Sequence, residues 1–219
     1  MKKLLIAAVT SIALSSGAFA ATGWLNSYAY VWNGTADTYY DLNGTGIQPS
    51  NFNGANLGSF NTVAGGGTLF LNSEINASAN GGDAFSNFSL WYRVGPTGNV
   101  TGSFTQVSAT GSPAIFNTGG DNWRGIASGV NLLDGRAEGI YQVQIYLSRS
   151  HTWDAGAGGP YTTYLNTTGD IGGGVPTGTP PTSDFFTASY EVVPEPSTYA
   201  LLSLAAAGLG AHVLRRRRK

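Results

Sequence analysis

Three segments of strict two-residue alternation constrain this chain more than any other feature. In Phe88-Ser89-Leu90-Trp91-Tyr92-Arg93-Val94 the even positions are apolar or aromatic and the odd ones mostly polar. In Tyr141-Gln142-Val143-Gln144-Ile145-Tyr146-Leu147 the odd positions are suited to a core and both glutamines to the outside. Phe186, Ala188, Tyr190 and Val192 alternate in the same way with Thr187, Ser189 and Glu191. Successive side chains of a strand point to opposite faces, so this period predicts strands with one face on a core. No convincing 3.6-residue apolar stripe occurs between residues 21 and 192, which argues against a helical body.

Weaker strand candidates lie at 27–32, 68–74 and 102–109. Between them come Asn43-Gly44, Gly65-Gly66-Gly67, Asn80-Gly81-Gly82-Asp83 and Asp134-Gly135, residues that tolerate the positive φ of tight turns. Seven or so short strands with such punctuation predict an all-β fold, an antiparallel β-sandwich, with an open barrel as the alternative. Residues 21–192 are enough to bury a core without disulfides, and the chain has no cysteine. From His151 to Asp184 Gly, Pro and Thr dominate. The segment 151–184 therefore reads as a long loop before the last strand, holding at most a short strand at 161–165.

The two ends read as addresses. Lys2 and Lys3, an apolar run and Ala18-Phe19-Ala20 before Ala21 have the layout of a secretory signal peptide over residues 1–20, cut by signal peptidase. At the other end Pro194-Glu195-Pro196 precedes an apolar segment, 199–214, and the basic run Arg215, Arg216, Arg217, Arg218 and Lys219. Sixteen helical residues rise about 24 Å, short of a hydrocarbon core of roughly 30 Å, a mismatch that snorkelling arginines absorb. Terminal cations keep such a helix end on the cytoplasmic side. The precursor is expected to be held at the membrane only through this C-terminal helix.

Residues 193–219 resemble the PEP-CTERM sorting signal of Gram-negative bacteria, with Pro194, Glu195 and Pro196 as its motif and 215–219 as its basic cluster. The resemblance implies recognition by an exosortase, a multi-spanning membrane cysteine protease. It also implies transfer to the cell surface or matrix in bacteria that make exopolysaccharide. More loosely, residues 52–192 resemble a β-rich domain of secreted bacterial proteins. The matching residues are Leu90-Trp91-Tyr92-Arg93-Val94, Gly102-Ser103-Phe104 and Gly139-Ile140-Tyr141. That resemblance implies a sandwich in an accessory role.

Charge is segregated between these parts. Residues 21–192 hold four arginines and no lysine against eleven acidic residues, a net charge of −7. Phosphate backbones repel such a body, so nucleic acid is not an expected partner. A neutral sugar, as in an extracellular polysaccharide, or a bound divalent cation is easier to accommodate.

Little in the chain points to catalysis. Of two histidines, His212 lies in the apolar tail, and His151 is expected to be a solvated loop residue. No Gly-x-Ser-x-Gly elbow, His-Glu-x-x-His or phosphate loop is present, so no catalytic residue and no cofactor is assigned. A carboxylate pair drawn from Glu74, Glu138, Glu191 and eight aspartates would be needed for a glycan hydrolase. Asp41 and Asn43, with Gly44 beside them, are the best calcium candidates but lack the later bidentate Glu of an EF-hand. They fit ordinary Asx turns as well.

Aromatic rings are the remaining candidates, because sugar C–H groups stack on their negative faces. Trp91 falls on the strand parity opposite Leu90 and Tyr92, while Trp123 and Trp153 sit in loop-like segments next to Asp121 and Asp154. The sequence thus predicts an exported surface or matrix protein, structural or adhesive rather than enzymatic. A carbohydrate-binding module comes second and a cryptic hydrolase third. Composition accounts for most of the six Asn-x-Ser/Thr sequons, with N- or O-linked sugar left open.

Overall fold

The computed structural model describes residues 23–42, 50–61, 67–78, 84–109, 115–119, 122–153, 158–171, 178–194 and 196–217. The signal-peptide residues Ala18, Ala20 and Ala21 lie outside them, as do Asn43, Glu195, Arg218 and Lys219. The described strands are β1 (Gly23–Trp24), β2 (Tyr28–Trp32), β3 (Asp37–Asp41), β4 (Ala55–Asn61), β5 (Phe70–Ser78), β6 (Ala84–Pro96) and β7 (Thr105–Ser108). They continue with β8 (Ile115–Gly119), β9 (Asn122–Asn131), β10 (Gly139–Trp153), β11 (Gly158–Asn166), β12 (Gly169–Ile171) and β13 (Phe186–Val193). One helix, α1 (Pro196–Arg217), follows.

These strands form two sheets. The first has the order β3-β2-β5-β9-β8, with β1 beside the far end of β5. In the second, β10 is the spine. Its residues 141–152 pair with β6, which carries β7. On its other side β13 takes residues 139–145 and β11 takes 147–153. The three clearest alternations of the sequence are β6, β10 and β13, which are neighbours in this sheet.

Alternation places the core as expected. Val143, Ile145 and Leu147 of β10, with Phe186, Ala188, Tyr190 and Val192 of β13, are buried. They join one core cluster with Ala29, Val31, Leu71, Ile75 and Ala127 of the first sheet. The sheets approach closely at Gly125, where a Cβ would fall 2.5 Å from the Cβ of Phe88 on β6. Glycine is required there for space, not for its φ. Across the same interior the Tyr190 hydroxyl donates to the Leu132 carbonyl at 2.6 Å. Arg149, fully buried on β10, donates to the Gly23 carbonyl and to Thr163 Oγ1. Its guanidinium lies 4.5 Å from the centre of the Trp24 ring, which fastens the start of the first sheet to the second.

Three expectations are corrected. The second sheet is mixed, because β4 runs parallel to β13 at its edge. The pair is anchored by Asn53, whose Oδ1 accepts from the N–H and hydroxyl of Thr187. Residues 151–184 are not one loop: β10 runs on to Trp153 and β11 and β12 form a hairpin. The turn residues of that segment punctuate strands instead of replacing them. His151 is not solvated but buried on β10, with its ring 5.8 Å from those of Phe85 and Tyr161.

The tail begins abruptly. Val192 is a buried core residue, Val193 pairs with Asn61, and α1 starts at Pro196. Proline is suited to the first helical position, where its missing N–H costs no hydrogen bond. Helix α1 extends past the apolar segment in both directions and rises about 33 Å over its 22 residues. Length is not matched by apolarity: among the described residues no helix is long and apolar enough to cross a membrane. Ser203, Gly208, Gly210 and His212 interrupt an already short run.

Candidate functional site

The outer face of the first sheet is built by a hairpin. Asn33 Oδ1 accepts from the backbone N–H groups of Thr35 and Ala36, closing the turn between β2 and β3. Gly34 in that turn has φ +91°, a conformation that glycine adopts without strain. On β2, Ala29 and Val31 point to the core, so Tyr28, Tyr30 and Trp32 point out. Tyr39 of β3 lies opposite Tyr30, and their rings stack at 5.1 Å and 25°. Trp32 is 36% exposed and Tyr39 40%.

Polar groups run alongside these rings. The register sets Asp37 across from Trp32 on one side, and Asn72 and Glu74 of β5 across from Tyr30 and Tyr28 on the other. Glu74 forms an ion pair with Arg124 of β9 and accepts from Asn76 Nδ2 at 3.2 Å. The Tyr30 hydroxyl is pushed above its usual pKa by burial, then by Tyr39, Asp37 and Glu74. Burial, Glu74 and Asp41 act on Tyr28 in the same direction. Both phenols therefore remain hydrogen-bond donors on an electronegative face.

The outer face of the second sheet is closed. Trp91 does project outward, but its indole stacks on Tyr146 at 5.6 Å and 8° and donates its N–H to Ser148 Oγ at 2.8 Å. Phe104 and Phe185 cover Tyr146 from two loops, with ring centres at 4.8 and 6.1 Å. Arg93 holds both loops: it donates to Gln144 Oε1 and to the Gly102 carbonyl, and its guanidinium lies over Phe104 and Phe185. Burial pushes the Tyr146 hydroxyl up to about 12.

The other sequence candidates are scattered. Trp123 is not in a loop; it lies on β9 and packs inward, edge-on to Phe85 at 6.1 Å. Trp153 closes β10, and its side chain is outside the described residues. Asp41 is buried and lines a cavity of about 260 Å³ with Leu42, Asn51, Asn53, Asn166, Thr167, Gly169 and Phe186. Among the described residues no group of three or more His, Asp or Glu side chains is disposed to hold a metal. Glu74 lies on β5 of the first sheet, Glu138 is exposed just before β10 and outside any strand, and Glu191 accepts from Ser59 Oγ at 2.7 Å.

Sequence reasoning missed Trp32, Tyr30 and Tyr39. The signal was present in Tyr28-Ala29-Tyr30-Val31-Trp32, where aromatic residues alternate with small aliphatic ones. When both sets are apolar, alternation does not say which one faces the core.

At the C-terminus, Pro194 leaves β13 directly and Pro196 opens α1, while Arg215 and Arg216 near the end of the helix are exposed. Residues 192–219 match the PEP-CTERM protein-sorting motif. No curated protein and no solved structure matches the chain. The PEP-CTERM tail marks the chain as an exosortase substrate, exported and held at the membrane by its C-terminus before cleavage. Its motif residues Pro194, Glu195 and Pro196 follow the folded body with no intervening linker.

Proposed function

We propose that this chain is a non-enzymatic surface or extracellular-matrix protein, a structural or adhesive component of the exopolysaccharide layer, with its two sheets packed as a β-sandwich. The observation that carries this reading is the junction at Val193. The sorting motif starts where a core strand ends, so what an exosortase delivers is the two-sheet body itself. The shared core and the Gly125–Phe88 approach support face-to-face packing. A carbohydrate-binding module is the second reading, favoured by the open rings beside β2.

The test is the location and the end of the mature protein. Mass spectrometry of material from the extracellular fraction is expected to end close to Pro194–Pro196. Lys219 still attached in sorting-competent cells, or retention of the body in the inner membrane, overturns the reading. Glycan release that disappears with Glu74→Gln or Glu138→Gln would establish a hydrolase in its place.

A further inference from the structure

We infer that the outer face of the first sheet is a binding site for a glycan chain that carries no acidic groups, seated on Trp32 and the Tyr30–Tyr39 stack. The inference deepens the surface-protein reading and rests on it for its biological setting, but its chemistry stands on the face itself.

Consider first the shape. Alternate residues of a strand lie about 7 Å apart on one face, so Tyr28, Tyr30 and Trp32 make a row along β2, widened by Tyr39 on β3. Among the described side chains of the strands, Trp32 and Tyr39 are large exposed rings. A row of rings suits an extended polymer better than a compact ligand.

Next comes the pattern of polar groups. The centre of a protein interface is depleted of charge. Here two of the rings have a carboxylate across from them, Asp37 by Trp32 and Glu74 by Tyr28, while Asn72 opposite Tyr30 is buried and bonded to the backbone of Gly129 and Phe70. A sugar ring needs this combination, an apolar C–H face on the aromatic side chain and hydroxyls reaching acceptors at its rim.

Charge then selects among glycans. Asp37 lies across from Trp32 and Glu74 across from Tyr28, Asp41 is buried opposite Tyr28, and Arg124 is engaged by Glu74. No lysine occurs anywhere in residues 21–192. An acidic polysaccharide meets repulsion here, whereas a neutral one meets donors and acceptors.

The test uses the full-length chain purified in mild detergent, run in affinity gels containing a soluble β-1,4-glucan, a β-1,3-glucan, an α-mannan or polygalacturonate. At least one neutral polymer is expected to retard it, and polygalacturonate to leave it unretarded. Trp32→Ala and Tyr39→Ala should each weaken retardation by roughly tenfold, with Trp91→Phe unchanged. Three results overturn the proposal: a folded wild-type chain that none of the neutral polymers retards, stronger retardation by polygalacturonate, or retardation indifferent to both substitutions. Self-association lost in Trp32→Ala, without any effect on glycan retardation, would assign the face to a second copy instead. Correct delivery to the surface without glycan binding would sink this inference and leave the surface-protein reading intact.

Discussion

On the first sheet Tyr30 and Tyr39 stack in the open beside Trp32, whereas on the second Tyr146 stacks on Trp91 and is covered by Phe104 and Phe185, over which Arg93 lies. Both faces start from outward aromatic side chains paired across strands, an arrangement that by itself favours the sheet. What separates them is the chain nearby. The loops before β7 and before β13 fold back over the second sheet, and Arg93 bonds to one and stacks on both. The hairpin between β2 and β3 is instead a tight Asx turn with no residues to spare for a cover. Outward rings are thus structural where a loop reaches them and exposed where, among the described residues, none does.

That contrast can be broken at several strengths. Tyr146→Ala should cost the most, about 4 kcal/mol, because it empties the centre of the covered cluster. Urea unfolding of the full chain would measure it, and a loss under about 1 kcal/mol would mean the cover is not a packed layer.

Next in size is an acid effect from the interior between the two faces. Burial, and secondarily Arg149, holds His151 down to about 4. The unfolded histidine titrates near 6.5, so the unfolded chain binds the extra proton first as the pH falls. The contribution is complete above about pH 6.5 and is lost towards pH 4, on the order of 3 kcal/mol. His151→Phe should flatten that slope in pH-dependent unfolding; an unchanged slope would place its origin elsewhere.

Smaller still, Trp91→Ala should destabilise by about 2 kcal/mol, through the lost stack and the unpaired Ser148 hydroxyl. Trp32→Ala, on the open face, should change stability by less than about 0.5 kcal/mol. The difference between these two tryptophans is the sharpest form of the comparison. Equal losses would mean that the first sheet is covered too.

How much of this was legible beforehand varies with the strand. β6, β10 and β13 could be read directly, because their alternation pairs apolar with polar residues and sets the apolar ones on the core. β4 could not: Ala-Asn-Leu-Gly-Ser-Phe-Asn has little alternation, and its partner β13 lies more than a hundred residues away. β11 and β12 were hidden by their own turn residues, since Gly, Pro and Thr in a hairpin look like Gly, Pro and Thr in a loop. His151 read as solvated because only its neighbours Phe85 and Tyr161, contributed by other strands, reveal that it is buried.

The sequence by itself determined the parts whose signal is local. Alternation fixed the strands at the heart of the second sheet, and the order of Pro-Glu-Pro, apolar run and basic cluster fixed the sorting tail. Only the tertiary structure decided which of two outward aromatic faces stays open. Exposure is a property of what else packs there, and the residues that cover Tyr146 come from loops remote from it in the chain. Covalent order carries no direct record of such contacts.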